Sequence, residues 1–109
     1  MLPSVEPAQP YENLDVASVA LDGLSQGAIL DIQTAHHLYH LENQPDGNVL
    51  ISGHPEICPT PVLVSFCGST SGTILKQRLI VNGMSMEFHH PQYGLVRTSR
   101  VRDIQVSGE

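Results

Sequence analysis

The chain has 109 residues, enough for one domain, and 40% of them are hydrophobic, so its core must be modest. A formal net charge of −6, no tryptophan and only three Tyr and two Phe argue against nucleic-acid binding, which uses a broad basic surface with stacking aromatics. No apolar run nears the ~18–20 residues of a membrane-spanning helix, the start MLPSVEPAQP lacks the marks of a secretory leader, and two cysteines make no disulfide framework.

In chain order, residues 1–10 hold three prolines and no apolar period, and read as an arm. From Glu12 to Asp22, Leu14, Ala17 and Leu21, then Leu24, fall at helical spacing, and Asp22-Gly23 supplies a stop. The alternation Ala17/Val19/Leu21 fits a strand as well; a short helix is the expectation. Residues 1–26 are thus an N-terminal arm with a short helix, and 27–109 a small β domain.

After Gly27 the texture is short β-branched runs broken by Gly, Pro, Asn and Asp. Ala28–Thr34 alternates Leu30/Ile32/Thr34 against Asp31/Gln33, and His37–Glu42 follows. Pro45-Asp46-Gly47 is a turn, because Pro presets φ and Gly accepts φ > 0. Asn48–Ser52 is a strand, Pro55, Pro59 and Pro61 force a loop, Val62–Cys67 is a strand and Gly68–Gly72 a loop. Ile74–Val81 reads as one strand, joined through Asn82-Gly83 to the next. An Asn-Gly pair between apolar alternations is the type I′ hairpin signature. It predicts Val81 opposite Met84, Leu79 opposite Met86 and Arg78 opposite Glu87, with Gln77 against Phe88 marking a bulge. A last hairpin turns through Pro91-Gln92-Tyr93-Gly94 into Leu95–Thr98, and Val101–Val106 ends the domain. The fold expected is all-β, a small antiparallel barrel or sandwich of about six or seven short strands.

Charge is unevenly spread. Residues 1–75 carry eight acids and no Lys or Arg, whereas 76–109 hold all five bases and three acids. An acidic half can meet a basic surface on this chain or on a second copy.

Ile32-x-Thr34, Tyr39-x-Leu41-Glu42, Pro59-Thr60-Pro61-Val62 and Gly68-Ser69-Thr70…Leu75-Lys76 form one pattern. It continues in Gly83-Met84-x-Met86-Glu87 and Thr98-Ser99-x-Val101-x-x-Ile104. Between Gly27 and Ile104 the chain resembles a bacterial family of small all-β proteins without an assigned function. The resemblance implies a small β domain and no activity, and the histidines fall outside the matching positions.

Thr34–Glu42, TAHHLYHLE, raises the question of a metal. On a helix His36 and His40 would share a face. On a strand they lie about 13 Å apart at ~3.3 Å per residue and cannot chelate alone. The alternation favours a strand, so a site needs help from elsewhere, with His36, His40, His54 and Cys58 as candidate ligands. Cys67-Gly-Ser-Thr-Ser-Gly72 fails as a phosphatase loop, since Thr73 stands where Arg is required, and fails as a Walker loop by spacing. Cys58 with His54 as base lacks a recognisable orienting acid.

Arg97, Arg100 and Arg102 are candidates for holding an anion, and their strand is expected to be a protected edge. Their spacing does not fit the Arg pairs of cyclic-dinucleotide barrels. The reading is a cytoplasmic, non-catalytic domain with reduced thiols, acting by protein binding or self-association. No cofactor, nucleic acid or membrane is implied. A metal-binding protein and a small anionic-ligand barrel are the alternatives.

Overall fold

The computed structural model describes Leu14, Asp15 and residues 17–107. The arm expected over residues 1–10 lies outside the described residues. The elements are β1 Leu14–Asp15, β2 Ser18–Ala20, a single 3-10 turn at Leu21–Gly23, β3 Ile29–Thr34, β4 Leu38–Asn43 and β5 Asn48–Ser52. They continue with β6 Val62–Ser71, β7 Ile74–Gln77, β8 Leu79–Val81, β9 Ser85–His90 and β10 Gly94–Ser107.

Every strand pairing is antiparallel, as expected. The order β3-β4-β5-β6-β9-β10 returns to β3, so the hydrogen bonds close a ring. β1 joins β10, β7 joins β6, and β2 pairs β8 as a separate two-stranded sheet. Two long strands make closure possible. β10 gives its first half to β9 and its second to β3, while β6 gives its first half to β5 and its second to β7. Bulges in β6 after Phe66 and in β10 after Arg97 and Val101 bend these strands around the ring.

The inward residues follow from the period of two. Leu30 and Ile32 on β3 meet Leu41 and Tyr39 on β4, Thr34 meets Val101 on β10, and Leu41 meets Ile51 on β5. Val49 faces Val64, and the two phenylalanines, Phe66 and Phe88, register directly. Each such buried side chain contributes about 1.5–3 kcal/mol. Leu21, from the N-terminal segment, is buried in this same core. Asn43 ties that segment down, its Nδ2 donating to Leu21 O, Leu24 O and Ser25 O, each at 3.2 Å.

Among the described residues the expected N-terminal helix does not form. Ser18–Ala20 registers with Val81–Leu79 instead, and only the 3-10 turn follows. An 11-residue stretch is below the ~12–15 residues that give a lone helix marginal stability, and the ladder to β8 wins.

The Asn82-Gly83 hairpin is also overturned. The turn closes, Met84 N–H reaching Val81 O at 3.1 Å, but β8 does not pair with β9. Among described non-glycine residues only Asp46 and Arg78 have positive φ, so Gly83 alone takes φ 93° here. That is the type II pattern, which splays the flanking strands rather than zipping them. Val101 pins the turn from both sides, accepting Gly83 N–H at 2.8 Å and donating to Met84 O at 2.8 Å. Gln77 accordingly faces Gly68, not Phe88. The primed turn occurs at Asp46-Gly47, where both residues have positive φ between β4 and β5.

Gly68–Gly72 is not a loop. β6 runs through to Ser71, with Ser69 and Thr70 buried. Gly68 makes this possible: at φ 149° any Cβ would overlap the Lys76 carbonyl oxygen of β7. The single strand expected over Ile74–Val81 breaks at Arg78, whose φ is 61°.

Arg78 donates from Nη1 to Gly47 O and Phe66 O, each at 3.0 Å, and from Nε to Asp22 Oδ1 at 3.0 Å. Arg78→Ala is expected to lower stability by about 2–4 kcal/mol, since bonds from a charged donor are worth ~1.5–3 kcal/mol each and the exposed Asp22 partner adds little. Denaturant melts check this; a loss under about 0.5 kcal/mol contradicts it.

Candidate functional site

Three turns gather at one end of the ring, those after β3, β5 and β9. Thr34 fixes the first, its Oγ1 accepting the N–H of His37 at 3.1 Å and of His36 at 3.4 Å and donating to His37 O at 3.0 Å. Ala35 N–H adds a bond to Arg100 O at 2.9 Å. His54 fixes the second, its Nδ1 accepting Glu56 N–H at 3.1 Å and Ile57 N–H at 3.4 Å, while Cys58 N–H returns to His54 O at 3.0 Å. His90 fixes the third, Nδ1 accepting Gln92 N–H at 2.9 Å and Tyr93 N–H at 3.2 Å, with Nε2 donating to Ile57 O at 2.8 Å.

The first two turns and β10 enclose a cleft of about 300 Å³, lined by His36, His37, Tyr39, His54, Glu56, Ile57 and Val96–Ser99. The His37 and His54 rings lie against each other, centroids 4.3 Å apart. The β10 wall holds its shape through Thr98, whose Oγ1 accepts Met86 N–H at 3.0 Å and donates to Ser99 O at 2.7 Å.

The sequence candidates separate. His36 and His54 line the cleft, but His40 sits on the outer face of β4, opposite Asp31, with Nδ1 2.8 Å from Oδ1. Cys58 is buried in the core. Among the described residues no three His, Cys, Asp or Glu side chains group so as to hold a metal ion. Arg97 reaches the cleft, and its Nη2 lies 3.9 Å from Glu87 Oε2 on β9. Arg100 and Arg102, both exposed, lie beyond the bulge and outside the cleft. Their strand is not the expected edge, since β10 is paired on both sides.

Both thiols are held up in pKa, Cys58 by burial and Cys67 by burial and then Glu87. A raised thiol is a poor nucleophile at neutral pH. Tyr39 is pushed up to about 12, first by burial and then by Cys58. A second cleft of about 200 Å³ beside Asp22, Asn43 and Asp46 is bridged by the structural bonds of Arg78.

Sequence reasoning missed two features. His90 is a turn lock, invisible without knowing which chain ends meet. β7 is an end strand of the sheet with all four residues exposed, Ile74 at 57% and Leu75 at 46%; its apolar pair was the available signal. Among the described residues no helix is long and apolar enough to cross a membrane. No protein-family model matches the chain, nor does any curated protein or solved structure.

Two outcomes follow from these environments. The folded Tyr39 phenol keeps its proton above its ordinary value of 10.0, so the unfolded state sheds protons first as pH rises. Stability is therefore intact below about pH 10 and falls by roughly 2 kcal/mol toward pH 12. Tyr39→Phe should remove that part of the slope in denaturant melts. With an aromatic disulfide reagent at neutral pH, Cys67 should react slowly and Cys58 only as fast as the chain opens. Cys67→Ser should abolish the faster phase, and prompt modification of Cys58 would contradict its burial.

Proposed function

We propose that the ring is a small barrel acting as a non-catalytic binding domain, and that it associates with a second copy of itself through the outer edge of β7. The observation that carries this is β7 itself: four exposed residues, an apolar pair among them, on a strand that only β6 pairs among the described residues. Such an edge is a template for another strand. Two copies of β7 paired antiparallel about a two-fold set Leu75 against Lys76 and Ile74 against Gln77, so no like charges oppose. Lys76 discourages indiscriminate stacking. It also gives the acidic first 75 residues of the other copy a positive neighbour.

A four-residue edge buries less than the ~1,200–2,000 Å² of a lasting interface, so the association is concentration-dependent. The raised thiols support a non-catalytic role, and two free cysteines fit a reducing, cytoplasmic compartment.

Light scattering over a concentration series should show mass rising toward a dimer, and added salt should weaken it. Leu75→Lys sets ammonium groups against one another across the two-fold and should weaken dimerisation at least about tenfold, a loss of ~1.4 kcal/mol. A strict monomer at high concentration, or a dimer indifferent to this substitution, overturns the proposal.

A further inference from the structure

We propose that the cleft between the β3–β4 turn, the His54 loop and β10 binds a small phosphate-bearing molecule, held by the Arg97 guanidinium together with the ring N–H donors of His37 and His54. The placement is independent of β7 and of self-association.

Arg97 presents a planar guanidinium with several N–H donors and is more than half exposed, with a side-chain exposure of 59%. Its nearest carboxylate, Glu87, stands 3.9 Å away, beyond hydrogen-bond distance, so the fork remains available to an anion. His54 contributes a donor whose tautomer is set by the fold. Two backbone N–H groups point at its Nδ1, which must therefore accept, and the ring proton sits on Nε2. His37 lies against that ring at a tilt of 38° and shares the cleft. These donors come from three separate elements. That suits a phosphate, whose several oxygens accept in different directions, better than a planar carboxylate.

About 300 Å³ lies at the small end of ligand sites, which restricts the rest of the molecule. Glu56 on the rim and Glu87 behind Arg97 oppose the anion and keep affinity moderate. His36, an exposed lining residue, is not among these donors.

The test is a titration of the full chain with inorganic phosphate, followed by amide NMR at fixed pH and constant ionic strength. Saturable shifts are expected at residues 36–37, 54–57 and 97–99. Arg97→Gln should weaken binding about 10–100-fold, the equivalent of one or two charge-assisted bonds. Arg97→Lys, which keeps the charge and loses the fork, should retain part of it. Glu87→Gln should tighten binding about threefold, because the competing carboxylate is gone. Absence of saturable shifts up to about 20 mM phosphate, equal binding by the Arg97→Gln protein, or an equal response to acetate overturns the proposal; each variant is first shown folded by its thermal melt.

Discussion

Arg78 is the residue on which the separate parts of this fold meet. Its Nη1 holds Gly47 O, where β5 begins, and Phe66 O, at the middle of β6, while its N–H reaches Cys67 O at 3.0 Å. Its own carbonyl accepts Leu21 N–H at 3.0 Å and its Nε takes Asp22, so the N-terminal segment is fastened by the same residue. The left-handed conformation at φ 61° costs roughly 1–2 kcal/mol for a residue with a Cβ. Two bonds from a charged donor to half-buried carbonyls, at ~1.5–3 kcal/mol each, more than offset that. Glycine would relieve the backbone but lose the fork, and lysine would keep a charge without two fixed donor directions.

Because the chain turns at Arg78, β7 and β8 serve different sheets. β7 extends β6, and β8 pairs with β2 and puts Ile80 into the core. This break leaves β7 as a short end strand, so the exposed apolar edge is a product of the same geometry that anchors the N-terminal segment. The antiparallel ring has a second consequence at its far end. Successive strands reverse direction, so the turns after β3, β5 and β9 fall together. The connections there leave backbone N–H groups without ladder partners. Thr34 Oγ1, His54 Nδ1 and His90 Nδ1 each accept two of them.

Much of this was legible where the signal was local. The alternation Leu30/Ile32/Thr34 put the right face of β3 into the core, Asn48–Ser52 matches β5 residue for residue, and Pro45-Asp46-Gly47 is a turn. The failures are where a distant segment decides. Asn82-Gly83 carries the stronger hairpin dipeptide, yet Val101 grips both sides of that turn and β2 has already claimed β8. Ser18–Ala20 is too short to resist the same exchange in the other direction. Arg78 looked like one alternating residue of a strand, because nothing local shows that Gly47 and Phe66 will present carbonyls to it.

The candidate site shows the same division most clearly. Histidines near positions 36 and 54 and an arginine near 97 looked like two unrelated hints, one of metal and one of anion. Only the closure of β10 against β3, a pairing across more than sixty residues of chain, puts them around one cleft. The same strand then selects among its arginines. Its bulge inserts one extra residue between Arg97 and Arg100 relative to Glu87 and Ser85 on β9, and Thr98 stabilises that bulge by bonding Met86 N–H and Ser99 O. Arg97 is thereby left beside the imidazoles, while Arg100 and Arg102 are carried past the cleft to the outside of the ring. The chemistry available at this end is set less by which residues the chain contains than by where one irregularity in its longest strand falls.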